Sequence, residues 1–178
     1  MKSQLRKISI EKRKHLPVEL YSEKLIKNLF SMEEYKNSKN ILCYYPLKYE
    51  VQTLNCFLDL SKNWFLPRVS KDDLEVCPYC STDLKSGAFN IKEPTGEEVK
   101  SVEILDMVII PAVAADKRGY RIGYGKGYYD RFLSKLSHSC IKVILVYSEL
   151  LYDSVYPESH DIKSDIIVTD KEILRNLC

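Results

Sequence analysis

The feature that most constrains the fold is a glycine-rich turn between an apolar run and a helical segment. Four of the six glycines lie within residues 119–127. The run before them, 107–110 (MVII), is continuously apolar, which is typical of a strand buried on both faces of a sheet. Residues 128–136 predict a helix after the turn. A strand, a glycine turn and a helix in this order are typical of α/β folds and of phosphate sites.

Other segments extend this unit into an α/β domain. Residues 3–29 predict two helices, because Pro17 suits a first helical turn and breaks an interior one. Their rough apolar stripe comprises Leu5, Ile8, Leu16, Leu20, Leu25 and Leu29. Further strands are predicted at 40–45, 64–69, 141–147 and 165–169. Further helices are predicted at 51–60 and 171–177, and Thr169 or Asp170 is expected to cap the last one. Residues 70–100 predict irregular hairpins and loops.

The length and the element pattern together predict one domain. A chain of 178 residues is of ordinary single-domain size and needs no disulfide or metal to hold its core. Strands that alternate with helices favour a mainly parallel sheet covered on both faces. We therefore expect a single domain over residues 1–178, a Rossmann-like three-layer α/β sandwich with a mainly parallel central sheet.

The composition excludes several classes of partner. The net charge of +2 is too small for binding to nucleic acid or membranes through bulk electrostatics. The most apolar stretch, 104–115, is too short to span a bilayer, and residues 1–14 lack the apolar core of a secretory signal. The six scattered cysteines are best explained as reduced thiols. We expect a cytoplasmic protein with no nucleic-acid or membrane partner.

The turn also carries the side chains that a phosphate site requires. Backbone N–H groups of a glycine turn and the start of a helix attract anions, and Arg121 and Lys126 add two positive charges. Asp130 follows Lys126 by four residues and is a natural ligand for a magnesium ion that also binds phosphate. Tyr124, Tyr128 and Tyr129 offer flat surfaces to a ring-shaped ligand.

Two alternatives remain open on these residues alone. The turn has neither the Walker spacing nor the dinucleotide spacing, so a glycine-rich surface loop before an amphipathic helix is the alternative to the favoured phosphate site. Cys77-Pro-Tyr-Cys80 resembles the active-site motif of a glutaredoxin, but it lies in the middle of the chain and no helical pattern follows it. Redox chemistry and a non-catalytic nucleotide-binding protein are therefore the competing hypotheses.

The order of the motifs points to a known family. The glycine segment 121–131 (RIGYGKGYYDR) with Asp116 and Gly119 closely resembles that of the 5-formyltetrahydrofolate cyclo-ligases. Weaker matches extend this resemblance over nearly the whole chain, at 2–6 (KSQLR), 44–53, 66–68 (LPR), 91–94 (IKEP), 106–111, 160–161 and 165–169. The chain departs from the family pattern at Ala112 and Ala115, where glycine and phenylalanine are usual.

The resemblance implies a reaction in folate and one-carbon metabolism. ATP and 5-formyltetrahydrofolate become 5,10-methenyltetrahydrofolate, ADP and phosphate, with Mg²⁺ required. The formyl oxygen attacks the γ-phosphate, N10 closes the ring, and phosphate leaves. Such phosphoryl transfer depends mainly on in-line placement and on neutralisation of charge. A monomer that binds only these small molecules is the corresponding expectation.

The resemblance also implies roles for individual residues. It places ATP on Lys2, Ser3, Gln4, Leu5, Arg6, Arg121, Ile122, Gly123, Tyr124, Gly125, Lys126, Gly127, Tyr128 and Tyr129. It places the folate on Tyr45, Glu50, Tyr124, Gly125, Lys126, Gly127 and Tyr128. Lys126, Arg121 and Tyr128 are the implied catalytic residues, and Asp130 and Asp161 the implied magnesium ligands.

Overall fold

The computed structural model describes residues 1–87 and 90–176, which fold into four α-helices and twelve strands. The helices are α1 Lys2–Arg13, α2 Val18–Ser31, α3 Glu33–Asn37 and α4 Tyr128–Leu133. The strands are β1 Asn40–Leu42, β2 Asn63–Ser70, β3 Asp73–Pro78, β4 Leu84–Ser86, β5 Lys92–Pro94, β6 Met107–Pro111, β7 Ala114–Asp116, β8 Arg121–Ile122, β9 Ile141–Leu145, β10 Leu151–Tyr152, β11 Ile166–Val168 and β12 Ile173–Arg175. Short 3₁₀ turns lie at Leu54–Leu58, Val102–Ile104 and Ser148–Leu150.

A seven-stranded sheet forms the centre of the molecule, in the order β12-β11-β9-β6-β1-β2-β3. The five inner strands are parallel, and the two edge strands, β12 and β3, are antiparallel to their neighbours. The predicted α/β class with a mainly parallel central sheet is confirmed. None of the helices among the described residues is both long and apolar enough to cross a membrane.

Strand β6 lies in the middle of this sheet because its side chains are apolar on both faces of the sheet. Met107 pairs with Ile41 on one side and with Ile141 on the other, and all its residues from Met107 to Ile110 are fully buried. A strand covered on both faces has no need of polar alternation, as the sequence predicted. The carboxylate of Asp106 accepts the backbone N–H groups of Lys39 and Asn40, which sets the register between β6 and β1.

A smaller sheet, β10-β7-β8, carries the chain from β6 into the glycine turn. Its hairpin is held by Asp116, which is fully buried and accepts the backbone N–H groups of Arg118, Tyr120 and Val155. The Arg118 guanidinium pairs with the same carboxylate at 2.8 Å. A buried charge that is bonded on both oxygens rigidifies its surroundings, so the turn after β8 starts from a well-defined position.

Three sequence-based predictions of local structure are wrong. Residues 51–60, predicted as a helix, form only the 3₁₀ turn Leu54–Leu58. Residues 171–177, predicted as the last helix, contain strand β12 instead, and Leu177 lies outside the described residues. Thr169 caps no helix: its hydroxyl accepts the N–H of Glu172 in the turn before β12, and its N–H binds the Glu172 carbonyl. Pairing with β11 at the edge of the sheet stabilises β12 as a strand, and the local sequence does not reveal that partner.

The predicted apolar stripe of the first two helices is correct only in part. Leu25 and Leu29 are fully buried, whereas Ile8 and Leu20 are half exposed. The buried face of α1 is instead polar and comprises Ser9 and Arg13. The helix break at Pro17 is confirmed.

We predict that Gly119→Ala destabilises the fold by about 2 kcal/mol or more, because strain and steric overlap add. Gly119 has φ of +99°, and a Cβ there would lie 2.5 Å from the carbonyl oxygen of Ser164. Urea unfolding followed by circular dichroism measures the change. Gly96→Ala is the control, since a Cβ at Gly96 meets nothing within 4 Å. Equal stability of the two variants would contradict the prediction.

Candidate active site

A cavity of about 1120 Å³ opens at the carboxyl ends of the central strands. Tyr44 follows β1, Val69 lies late in β2 and Pro111 ends β6, and all three line it. The start of α1, the loop after β1, β5, the glycine turn and residues 158–162 complete its wall. This edge of a parallel sheet is where α/β proteins bind their ligands.

The glycine turn is shaped by backbone geometry and held by α1. Gly125 and Gly127 have φ of +93° and +70°, values that favour glycine. Arg6 donates from Nε to the carbonyl oxygen of Gly123 at 2.8 Å. A Cβ at Gly125 would lie 3.4 Å from the Arg6 guanidinium carbon, so α1 and the turn approach each other closely.

Arg121 forms a buried ion pair behind the turn. Its Nη2 lies 3.0 Å from Oδ1 of Asp130, and only 5% of its side chain is exposed. Its guanidinium carbon also lies 5.9 Å from the centre of the Tyr129 ring. The side chain of Asp130, predicted as a metal ligand, therefore binds the predicted phosphate-binding arginine.

A second charged cluster closes the other end of the cavity. Lys2 Nζ lies 2.5 Å from Asp161 and 3.1 Å from Glu158. Burial opposes ionisation of Asp161, but hydrogen bonds from Lys2 and from the Glu158 N–H outweigh it, and its pKa is lowered. The ligand atoms of Glu158, His160 and Asp161 lie within 4.8 Å of one another, close enough to share one cation. Asp130 is not part of this group, so the two predicted metal ligands do not form one three-residue cluster among the described residues.

Lys126 differs from Lys2 and Arg121, the cavity cations that pair with carboxylates in the described chain. It lies at the exposed tip of the turn and lines the cavity. Within residues 1–87 and 90–176 its ammonium group has no carboxylate partner within 4.0 Å. It therefore remains available to an anion.

Glu50 and Tyr124 meet across the cavity. The Tyr124 hydroxyl donates to Oε1 of Glu50 at 3.0 Å, and the backbone N–H of Leu47 donates to Oε2 at 2.8 Å. Burial raises the pKa of Glu50, while the Leu47 N–H, the charge of Arg13 and the Tyr124 hydroxyl act to lower it. Burial and the Glu50 charge raise the pKa of Tyr124 to about 12, so its hydroxyl stays a donor.

Most of the predicted binding residues share this cavity. Lys2, Arg6, Tyr45, Glu50, Arg121, Gly123, Tyr124, Gly125, Lys126, Gly127, Tyr128, Tyr129, Asp130 and Asp161 all line it. Of the described residues, Ser3, Gln4, Leu5 and Ile122 do not contribute to that lining. Gln4 and Leu5 instead border a separate shallow groove beside Tyr152, and Ile122 is fully buried. Their assignment to ATP stays a prediction.

Sequence reasoning did not assign several residues of this site, among them Glu158, Glu93 and Arg13. Glu93 in β5 is a buried carboxylate that lines the cavity and accepts the N–H of Val69. Arg13 is buried behind the turn and donates to the Tyr124 hydroxyl at 2.6 Å. A signal existed for Arg13, because its spacing from Lys2 and Arg6 places all three on one face of a helix.

The two cysteines of the glutaredoxin-like motif have no redox environment. Cys77 is fully buried in edge strand β3, and burial raises the pKa of its thiol. Cys80 is exposed in the turn that follows, and the next element is strand β4 rather than a helix. A reactive thiol requires a lowered pKa. The predicted reduced thiols are free at the five described cysteines, whereas Cys178 lies outside the described residues.

The fold and the cavity define a class of protein. A mainly parallel α/β sheet carries a glycine turn, fixed cations and a deep cavity at the carboxyl ends of its strands, as in nucleotide-handling α/β enzymes. The sequence pattern of the 5-formyltetrahydrofolate cyclo-ligase family matches residues 1–170. The chain belongs to this family of enzymes.

Individual relatives agree with this assignment over nearly their full length. The probable 5-formyltetrahydrofolate cyclo-ligase of Schizosaccharomyces pombe is 29% identical over 201 residues, covering 99% of this chain and 98% of the relative. The NMR structure of Aquifex aeolicus 5,10-methenyltetrahydrofolate synthetase matches with a TM-score of 0.87 and 38% identity, over 98% of this chain and 92% of that one. The Mycoplasma pneumoniae 5,10-methenyltetrahydrofolate synthetase matches with a TM-score of 0.73 and 26% identity, over 95% and 98%.

Proposed function

We propose that this protein converts 5-formyltetrahydrofolate to 5,10-methenyltetrahydrofolate with ATP and Mg²⁺. The observation that carries the proposal is the hydrogen bond between Tyr124 and Glu50, which places the phosphate-type turn and a buried carboxylate in one cavity. Pockets that bind one drug-sized ligand have volumes of about 300–1,000 Å³. The cavity, at about 1120 Å³, is slightly larger than this range, and its charged groups lie at separate ends that would each receive one ligand.

The folate would bind on the Glu50 side of the cavity. A buried carboxylate is suited to accept the paired N–H groups of a pterin ring, because charge-assisted hydrogen bonds are strong where water is excluded. Tyr45 and Tyr128 line the same cavity and offer ring surfaces to a flat ligand. This arrangement would direct the formyl group towards the glycine turn.

The ATP phosphates would bind between the glycine turn and the start of α1. Lys126 would approach the transferring phosphoryl group, since no carboxylate of the described chain competes for it. Arg6, already bound to the Gly123 carbonyl, would fix the turn under the phosphates. These groups are preorganised, so they stabilise developing charge without reorganising during the reaction.

A magnesium ion would find oxygen ligands at the α1 end of the cavity. Mg²⁺ prefers carboxylates together with phosphate oxygens and water, and Asp161 and Glu158 supply the carboxylates. The ion supplies Lewis-acid neutralisation of phosphate charge. Lys2 now binds both carboxylates and would turn to phosphate when a cation replaces it. Asp130 would reach such an ion only if its pair with Arg121 opened.

The reaction then requires two bond-forming steps. The formyl oxygen attacks the γ-phosphorus, the bond to the β-phosphate oxygen breaks, and ADP leaves. N10 next attacks the activated formyl carbon and gives up its proton, the C–O bond breaks, and hydrogen phosphate leaves with the formyl oxygen and that proton. The protein contributes placement and electrostatic stabilisation to both steps. The single-domain organisation, the monomeric state and the cytoplasmic location stay predictions.

The direct test is a turnover assay with purified protein, ATP, Mg²⁺ and 5-formyltetrahydrofolate. We expect the near-ultraviolet absorbance of the methenyl product to appear, together with one ADP for each product molecule. Omitting Mg²⁺ should abolish turnover. Nucleotide binding without product would favour the non-catalytic hypothesis, and turnover without ADP would contradict the phosphorylation step.

We predict that Lys126→Ala lowers kcat by about 100-fold, as expected for loss of one preorganised charge at the transferring group. The KM for folate should change less than kcat, because Tyr45, Glu50 and Tyr128 remain in the cavity. Lys117→Ala is the matched control, since Lys117 is exposed and does not line the cavity among the described residues. An unchanged kcat in Lys126→Ala would show that this lysine is peripheral.

We predict that Glu50→Gln raises the KM for 5-formyltetrahydrofolate about tenfold or more, because a charge-assisted pair of hydrogen bonds becomes neutral. The KM for ATP should stay within about twofold, because the charge-assisted contacts to the phosphates come from Lys126 and the start of α1 and not from Glu50. Glu149→Gln is the control, since Glu149 accepts a tyrosine hydroxyl at 3.0 Å in the same manner but lies outside the described cavity lining. Parallel loss of both affinities with a lower Tm would instead indicate a folding role.

A further inference from the structure

Arg13 is a buried cation whose guanidinium forms few hydrogen bonds in the described chain. Only 5% of its surface is exposed, yet among the described residues its Nε and Nη1 have no hydrogen-bond partner. Its side-chain hydrogen bond in the described chain runs from Nη2 to the Tyr124 hydroxyl at 2.6 Å, and its guanidinium carbon lies 5.7 Å from the Tyr124 ring centre. Burying a guanidinium this way is costly, so packing alone does not account for it.

The hydrogen bonds beyond Arg13 form a chain that ends on Glu50. Arg13 donates to Tyr124, and Tyr124 donates to Oε1 of Glu50 at 3.0 Å. The backbone carbonyl of Glu50 accepts a hydrogen bond from the Tyr147 hydroxyl at 2.8 Å, which anchors the loop after β1 to the segment after β9. Three segments distant in sequence, namely α1, the glycine turn and the loop after β1, are thus joined by one guanidinium.

The other titratable groups around Glu50 carry no positive charge. Tyr44 follows β1, Tyr129 lies in α4 and Tyr147 follows β9, and burial raises the pKa of each hydroxyl. All three are neutral at physiological pH. Arg13 is the cation that opposes the effect of burial on the Glu50 carboxylate.

We propose that Arg13 is a positioning residue for folate binding: it holds the Tyr124 hydroxyl against Glu50 and thereby keeps the carboxylate and the glycine turn in register. The proposal rests on the proposed function, because it assumes that Glu50 receives the folate. Arg13 does not line the cavity among the described residues and acts only through its partners. It would determine the affinity for folate rather than that for ATP.

The position of Arg13 on α1 supports this role. Lys2, Arg6 and Arg13 share one face of the helix and contact three separate parts of the site: Asp161, the Gly123 carbonyl and the Tyr124 hydroxyl. Helix α1 thus fixes the phosphate side through its first two cations and the folate side through the third. These contacts are separate, so loss of the Arg13 contact leaves those of Lys2 and Arg6 in place.

The test compares Arg13→Met, Arg13→Lys and Lys12→Met in steady-state kinetics from acidic to neutral pH. Arg13→Met should raise the KM for 5-formyltetrahydrofolate about tenfold, the effect of losing a hydrogen bond from a charged donor, and leave the KM for ATP within about twofold. Its folate affinity should also begin to fall at a higher pH, because Glu50 without the cation protonates more easily. Arg13→Lys keeps the charge, so its pH profile of folate affinity should resemble that of the unsubstituted protein more closely than that of Arg13→Met. Lys12→Met removes an exposed neighbouring charge and should change nothing.

Several results would overturn the proposal. These are an unchanged folate KM in Arg13→Met, a parallel rise of both KM values, or an acidic limb that does not move. If Arg13→Met does not fold, Arg13→Gln, which removes the charge but keeps a polar side chain, should show the same selective rise in folate KM, and an unchanged folate KM there overturns the proposal. Glu50→Gln separates the two hypotheses: if it leaves the folate KM unchanged, the proposed role of Glu50 is wrong. If Glu50→Gln raises that KM and Arg13→Met does not, the role of Arg13 alone fails.

Discussion

The hydrogen bond between Tyr124 and Glu50 is the contact on which the candidate site depends. It joins residues 74 positions apart in the chain, at 3.0 Å, and so brings the glycine turn to the loop after β1. Burial raises the pKa of the carboxyl, yet two donors and the Arg13 charge favour its ionised form. Because buried polar groups are costly unless they are bonded, this contact selects one arrangement of the two segments. The shape of the cavity follows from that arrangement.

Helix α1 is unusual in what it buries. A surface helix normally turns an apolar stripe towards the core, whereas the buried residues of α1 are Ser9 and Arg13. Ser9 donates to the Tyr152 hydroxyl, and Arg13 to that of Tyr124. The helix is therefore held by directed polar contacts in addition to the apolar packing of Leu5 and Ile10. Such directed contacts matter where the same helix presents Lys2 and Arg6 to a cavity.

Much of this fold was predictable because its signals are local. The apolar run of β6, the glycines of the turn and the break at Pro17 each act over a few residues, and all three predictions are confirmed. The wrong predictions concern segments whose structure depends on distant partners: β12 is a strand because β11 lies beside it. The contact between Tyr124 and Glu50 has the same origin. Motif order placed both residues in one family pattern, but only the topology of the sheet brings them together.

The distribution of charge explains how one cavity could serve two ligands. Arg121 and Lys2 are each bound to a carboxylate, Asp130 at 3.0 Å and Asp161 at 2.5 Å. A phosphate that enters would compete with these carboxylates for the same N–H donors, and a magnesium ion would relieve that competition by binding the carboxylates itself. Lys126 faces no such competition within the described chain. Phosphate and metal would therefore favour each other's binding. The metal would bind the carboxylates that phosphate displaces from the cations, and phosphate would bind the cations that the metal displaces from the carboxylates. The proposed dependence on ATP and Mg²⁺ together would follow from this electrostatic coupling.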